Sequence, residues 1–195
     1  NDLAKDILAA VNKHLARKGS LLKTGSIVDA PIIAALNSTK NQRGECDPEM
    51  HETKKGNEWQ FGMNAHIAVD ARNGLVRTVT TTSAYEADAE QIADPPHGKE
   101  QQVWADSGYR GAQARVKRDD RKWHIAARPS DIAKVPEGCD KRWLRRKERS
   151  RASLRAKVEH LFRVIKLQFG LMKVRFCGLA KNTAPLVTLF ALYKL

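Results

Sequence analysis

Three carboxylates stand where the chain could use them for chemistry on phosphate. Asp29 closes the β-branched run SIV, Asp106 closes QVWA ahead of a small-residue turn, and Glu159 lies inside RAKVEHLFRVIK. Functional groups of open α/β sheets gather at strand ends, where loops leave room for a ligand. Asp is also common as a turn residue or helix cap, and that is the plainer account of Asp29 and Asp106 taken singly. Glu159 poses a sharper question. From Lys141 to Lys166 there are eleven Lys or Arg residues and two acids, Glu148 and Glu159. One answer is an (i, i+4) surface ion pair of Glu159 with Arg155, worth ~0.3–0.5 kcal/mol. The other is a metal ligand. Mg²⁺ wants hard oxygen donors, two such ions ~3.5–4 Å apart can clamp the attacking and leaving oxygens of an in-line displacement, and surrounding cations would hold a polyanionic substrate.

The elements that must position these groups can be read from periodicity. Apolar residues at 3, 7, 8, 11 and 15 predict a helix over residues 1–17, stopped by Gly19. The run TGSIVDAPIIAAL gives a short strand, Asp29, and a second apolar run. Residues 37–58 are polar and turn-rich, which predicts a surface loop. WQFGMNAHIAVD and LVRTVTTTSA form a predicted hairpin about Asn73-Gly74, YEADAEQIAD a short helix, QQVWAD a buried-type strand and KWHIAARP another. A basic loop (130–147) should lead to a long helix from about 149 to 169, with a last helix over 182–194 carrying Pro185. On the long helix Leu154, Val158, Leu161, Ile165, Phe169 and Met172 make the apolar face. At 100° per residue Arg155 lies about 40°, and Lys166 about 20°, from Glu159 on one polar stripe. Early meandering strands followed by strands alternating with helices predict a mixed α/β sheet with helices packed on it, compatible with a ribonuclease-H-like fold among other α/β arrangements.

Charge narrows the partner. Thirty-five Lys or Arg against 22 acids leave +13, with pI near 9.9, which points to a polyanion. The longest apolar run, residues 184–193, is too short for a membrane span, so nucleic acid is favoured over a membrane surface. Cys46, Cys139 and Cys177 are scattered, with no C-x-x-C, which supports neither a disulfide framework nor a zinc ribbon and fits a reducing cytoplasm.

Several long stretches then become familiar together. TGSIVDAPIIAALNSTKNQRGECDPEMHETKKGNEWQFGMNAHIAVDARNGL, VWADSGYRGA and LRAKVEHLFRVIKLQFGLMKVRFCGLAKN resemble, in order and spacing, bacterial DDE transposases of the insertion-sequence-five family. The likeness spans residues 18–195. It implies a ribonuclease-H-like catalytic core in which Asp29, Asp106 and Glu159 bind two Mg²⁺ or Mn²⁺ ions. It also implies a DNA transposase that hydrolyses the phosphodiester at transposon ends and then joins the freed 3′-hydroxyl to target DNA. The family's last acid has an Arg four residues before it and a Lys seven after, matched here by Arg155 and Lys166. Two positions depart: Ala152 replaces a frequent Tyr, and Pro31 a frequent Thr or Ser two residues after the first Asp. Residues 1–17 look like the last helix of an otherwise missing N-terminal region associated with binding transposon ends. The resemblance further implies a homodimer on paired ends, terminal inverted repeats and target DNA as partners, and a cytoplasmic, nucleoid-associated location. The rivals are a nuclease of the same fold without strand transfer and an inactive basic DNA-binding remnant.

Phosphate contacts are expected from Arg155, Lys166, Arg163, Arg145 and Arg146, and from Lys54 and Lys55 in the 37–58 segment. The spacing of His51 and His66 fits no compact zinc site. His160 points about 100° from Glu159, toward packing or DNA. Trp59, Trp104, Trp123 and Trp143 are core candidates, with Trp143 the one placed to stack on a base. Asp70 ends a strand much as Asp29 does and is the chief rival metal ligand.

Overall fold

A computed structural model describes residues 3–21, 25–39, 44–55, 57–87, 91, 100–116 and 120–194. The described strands form a seven-stranded mixed sheet. Its spine is β4 (Glu58–Asp70), whose inner half alternates small and branched residues that are buried on both faces. β5 (Val76–Ser83) returns antiparallel through the predicted hairpin, with Gly74 at φ +68° in the turn. β1 (Gly25–Asp29) and β2 (Ile32–Ala34) pair with β4 in one unbroken register, Asp29 opposite Ile67 and Ile32 opposite Asn64. Pro31 interrupts the ladder between them because it has no N–H to give, although its carbonyl still accepts from Ala65 N at 3.0 Å. Gly62 is needed where β2 crosses: a Cβ there would meet Ile33 O at 2.2 Å.

β6 (Gln102–Ala105) lies parallel to β1, and β7 (Lys122–Ile125) parallel to β6, giving the order β5-β4-β1-β6-β7. α1 (Leu3–Arg17), α2 (Ala112–Arg115), α3 (Pro129–Lys134), α4 (Cys139–Arg163) and α5 (Leu179–Leu192) complete the described helices. One sheet face carries Ile27, Ile33, Met63, Ile67 and Val69 against Val158, Leu161, Phe162 and Ile165 of α4 and Leu186 and Phe190 of α5. The opposite face carries Val28, Ala68, Val103 and Ala105 against Tyr109 and Ala112. α1 packs through Ala4 and Leu8 on Val187 and Ala191 of α5. This is the ribonuclease-H-like mixed sheet flanked by helices expected from the sequence. Among the described residues no helix is long and apolar enough to cross a membrane.

Five expectations need correction. Within the predicted 37–58 loop, His51–Lys55 is a strand, β3, paired with the first residues of β4. HETKK has no apolar alternation to betray it; its bonds come from an edge of β4. The predicted basic loop 130–147 is largely helical, as α3 and the first turns of α4. Residues 139–148 lack an apolar stripe, but Arg, Lys, Leu and Glu are good helix formers. The long helix therefore begins at Cys139, not 149. It continues past Arg163 as a π-helical turn, Val164–Gln168, in which Phe169 N bonds Val164 O at 3.0 Å. Trp59 and Trp143 are exposed (68% and 61%) and Met172 lies off the packed face, while Phe162 joins the core instead. Of the predicted helix YEADAEQIAD, residues 88–90 and 92–94 lie outside the described residues, and Tyr85–Glu86 form a turn. α5 starts three residues earlier than predicted because acids from a distant loop cap it. Asp47 Oδ2 accepts from Gly178 N at 2.7 Å, and a Glu49 carboxylate oxygen accepts from Leu179 N.

Candidate active site at the strand ends

The parallel register of β1 and β6 sets Ile27 opposite Trp104, and Asp29 and Asp106 each follow two residues later, at the C-terminal ends of neighbouring strands. Alternation gives both acids the same face. Asp29 follows the side of Ile27 and Asp106 the side of Trp104, and both of those residues pack in the cluster beneath α4. Each acid also makes the local bond expected of a turn or cap residue. Asp29 Oδ1 accepts from Ala30 N at 2.9 Å, and Asp106 Oδ1 accepts from Gly108 N at 2.8 Å, opening the 3₁₀ turn Ser107–Tyr109.

α4 crosses this face, and four anchors fix its course. Arg151 Nη1 donates to Ile125 O at 2.9 Å, where β7 ends, and Glu148 Oε2 accepts from Ala127 N at 3.2 Å just beyond. In the π-helical turn, Lys166 Nζ donates to Ile32 O at 3.0 Å, past the end of β1. Lys157 reaches the other way, donating to Ala71 O at 2.5 Å and Arg72 O at 2.8 Å, beside the start of β1. Glu159 lies between Arg151 and Lys166, about 12 Å from one and about 10 Å from the other along the axis. It points about 160° from Lys157, away from the side of the helix that faces the start of β1. Between β7 and β1 runs β6, which ends at Ala105, just before Asp106. Glu159 is thus carried on the flank of α4 that looks toward the strand ends holding Asp29 and Asp106.

Glu159 is exposed and, among the described residues, makes no hydrogen bond or ion pair; the pair with Arg155 is not formed. Glu148, the other acid of the cationic stretch, is consumed by Arg151 at 2.5 Å and by Ala127 N. Asp70, the rival ligand, is also consumed. Its Oδ2 meets Arg77 Nη2 at 2.6 Å and its Oδ1 accepts from Arg72 N and Asn73 N. His51 Nδ1 is bonded to Ser83 Oγ at 2.6 Å and His66 Nε2 to Thr82 Oγ1 at 2.7 Å. What the strand ends offer is therefore hard oxygen, which suits Mg²⁺ or Mn²⁺ rather than zinc. Among the described residues no three His, Cys, Asp or Glu side chains approach closely enough to hold a metal ion.

The expected cations divide by position. Arg155 and Lys166 are half-buried on the Glu159 stripe, and Arg163 is exposed one turn beyond Glu159. Arg145 and Arg146 are exposed on the first half of α4, roughly 20 Å before Glu159. Arg145 also pairs with Glu137 at 3.4 Å. Lys54 is exposed on β3, and Lys55 ends that strand. Trp143 carries Lys147 Nζ 4.7 Å over its ring. His160 lines a separate cleft of about 340 Å³ with Ser153, Lys157 and Tyr193, on the flank away from Glu159. Sequence reading overlooked Arg151 and Lys157 as anchors of α4. The (i, i+3) spacing of Glu148 and Arg151 was the one available signal, and it does not reveal a distant carbonyl.

Carboxylates at adjacent strand ends, faced by a helix rich in Arg and Lys, make a site suited to a polyanionic substrate and hard cations. The family model described as transposase DDE domain matches residues 20–195, and the chain belongs to that family. DDE transposases cut DNA in the course of transposition and use divalent metal ions, so DNA is the partner this membership implies. No solved structure matches the chain.

Proposed function

We propose that this chain is the catalytic core of a DNA transposase of the insertion-sequence-five kind, with Asp29, Asp106 and Glu159 as its acidic triad. The observation that carries the reading is the position of Asp29 and Asp106, each two residues past the Ile27–Trp104 pair on the face crossed by α4, with Glu159 unpaired among the described residues on that helix. The three carboxylates are the ligands for two Mg²⁺ or Mn²⁺ ions, which when bound supply charge neutralisation at the phosphate and activation of the attacking oxygen. Arg155 and Lys166, on the Glu159 stripe, hold the phosphates that flank the scissile bond. Arg163, Arg145, Arg146, Lys54 and Lys55 carry the DNA backbone further out. The same carboxylates serve two successive transfers. Water displaces the 3′-hydroxyl at a transposon end, and that hydroxyl then displaces a 3′-oxygen in target DNA.

No covalent enzyme intermediate is needed, so no nucleophilic side chain is required at the strand ends. The reading extends to a homodimer on paired inverted-repeat ends, acting on DNA in the bacterial cytoplasm and nucleoid, and to α1 as the close of a helical end-binding region. Mn²⁺ calorimetry tests it, with the native chain set beside Glu159→Gln and Asp106→Asn. Binding that collapses in both variants supports one shared site. Binding unchanged in both would leave the acids structural and the chain a basic DNA-binding remnant. Product analysis on end-containing DNA separates transposase from nuclease, since only the former yields joined strands.

A further inference from the structure

Among the described residues, the two acids of the cationic stretch divide into one that is free and one that is fully engaged, and the engaged one lies on the same helix about three turns earlier. Glu148 and Arg151 do more than pair with each other. Arg151 Nη1 bridges Glu148 Oε1 (2.5 Å) and Ile125 O (2.9 Å), while Glu148 Oε2 takes Ala127 N (3.2 Å). Both side chains are only 15% exposed. The pair therefore grips one carbonyl and one N–H, two residues apart, on the chain leaving β7. Ala126 between them continues the sheet ladder through Ala105 O at 3.0 Å. The held segment is thus tied directly to the end of β6, the residue before Asp106.

We infer that the Glu148–Arg151 pair is a positioning device for Glu159, fixing α4 against the ends of β7 and β6 and so setting where Glu159 stands relative to Asp106; the inference rests on the reading of Glu159 as a metal ligand. A helix held only by apolar contacts can shift by fractions of a turn, whereas a ligand set tolerates misplacement of roughly 0.5 Å. Lys166 on Ile32 O secures the far side of Glu159, and the Glu148–Arg151 grip secures the near side. The planar guanidinium serves two acceptors in fixed directions, which an ammonium on a flexible stem reproduces poorly.

The test is Mn²⁺ calorimetry on the full chain, well below its Tm, for the native protein and the variants Arg151→Met, Arg151→Lys, Glu148→Gln and Glu159→Gln. Losses of outer-shell partners typically weaken metal binding by about 10–100-fold, and a loss of that size is expected for Arg151→Met and Glu148→Gln, with Arg151→Lys between them and native. In cleavage of end-containing DNA the same variants should lose kcat while KM for DNA stays within about twofold, because the phosphate-contacting side chains are untouched. Glu148→Gln keeps an oxygen for Ala127 N–H, so it carries the test should Arg151→Met fail to fold. Native Mn²⁺ affinity in cooperatively melting Glu148→Gln and Arg151→Met overturns the positioning role, provided Glu159→Gln abolishes binding. If Glu159→Gln itself binds like native, the ligand reading fails and the inference falls with it.

Discussion

Asp70 and Arg77 meet at 2.6 Å with both side chains only 1% exposed, at the closed end of the β4–β5 hairpin. The second Asp70 oxygen holds the turn by accepting from Arg72 N at 2.8 Å and Asn73 N at 3.1 Å. Arg77 O in turn accepts from Asn12 Nδ2 at 3.0 Å, which ties α1 to the sheet. An acid at a strand end is here a strut of the fold. It lies at the end of the sheet opposite to Asp29, because β4 runs antiparallel to β1.

Removing the Asp70 charge should strand a buried guanidinium. Asp70→Asn is expected to cost about 3–5 kcal/mol in denaturant unfolding, the range for breaking one side of a buried pair. Mn²⁺ binding by the fraction that remains folded should match native. A loss of Mn²⁺ binding in a stably folded Asp70→Asn would move the metal site to the hairpin.

Asp106→Asn should behave in the opposite way. Asn keeps an Oδ1 for Gly108 N–H, so unfolding free energy should change by less than about 1 kcal/mol. Cleavage of end-containing DNA should fall by about 10³-fold or more, as for removal of a central member of a catalytic set. Near-native cleavage would reduce Asp106 to a cap of the 3₁₀ turn.

DNA affinity should report which cations touch phosphate. Arg163→Ala and Arg155→Ala should each lower the slope of log K against log salt by about one, without changing sequence preference. Lys166→Ala should do the same and also lose about 1 kcal/mol of stability, because its ammonium is bonded to Ile32 O in the free protein. An unchanged salt slope in all three variants would put the DNA elsewhere on the surface.

Lys194 gives the fold a pH dependence. Burial, with Arg77 nearby, pushes its pKa from 10.5 down to about 8. Below pH 8 the folded and unfolded chains both hold the proton, and the buried cation is carried at full cost. Between pH 8 and 10.5 the unfolded chain binds more protons than the folded one, so stability rises with pH through that window. A gain of about 1–2 kcal/mol is expected there, and Lys194→Met should flatten it. An equal rise in the variant would assign the slope to other groups.

Much of the arrangement was legible in the chain itself. The strands that became β1, β4, β5, β6 and β7 announced themselves by β-branched and alternating residues, and the hairpin by Asn73-Gly74. The elements that escaped, β3 and the first half of α4, have polar sequences whose order comes from partners. HETKK is a strand because β4 extends past β5, and residues 139–148 are helical by propensity and ion pairing rather than by an apolar stripe. Exposed Trp59 and Trp143 show the same limit, since a large apolar side chain is not by itself evidence of burial.

Sequence alone determined that three acids should stand at two strand ends and on one helix stripe, because the periods of strand and helix are local properties. It also determined the cationic surroundings, because charge is composition. Only the tertiary structure decided where each acid stands and which are taken up in holding the fold. Asp29, Asp70 and Asp106 look alike as strand-ending residues, and Glu148 and Glu159 look alike as acids among bases. Pairing register put Asp29 and Asp106 at the same end of neighbouring strands and sent Asp70 to the other end of the sheet, beside Arg77. The crossing of α4 over the chain leaving β7 gave Glu148 the N–H of Ala127, beside its Arg151 on the same helix, while leaving Glu159 with no such partner among the described residues. Apart from Arg151, three residues from Glu148 on α4, the partners that settle these cases lie on other elements, Arg77 across the hairpin from Asp70 and Ala127 beyond β7 for Glu148, and no local pattern encodes such contacts.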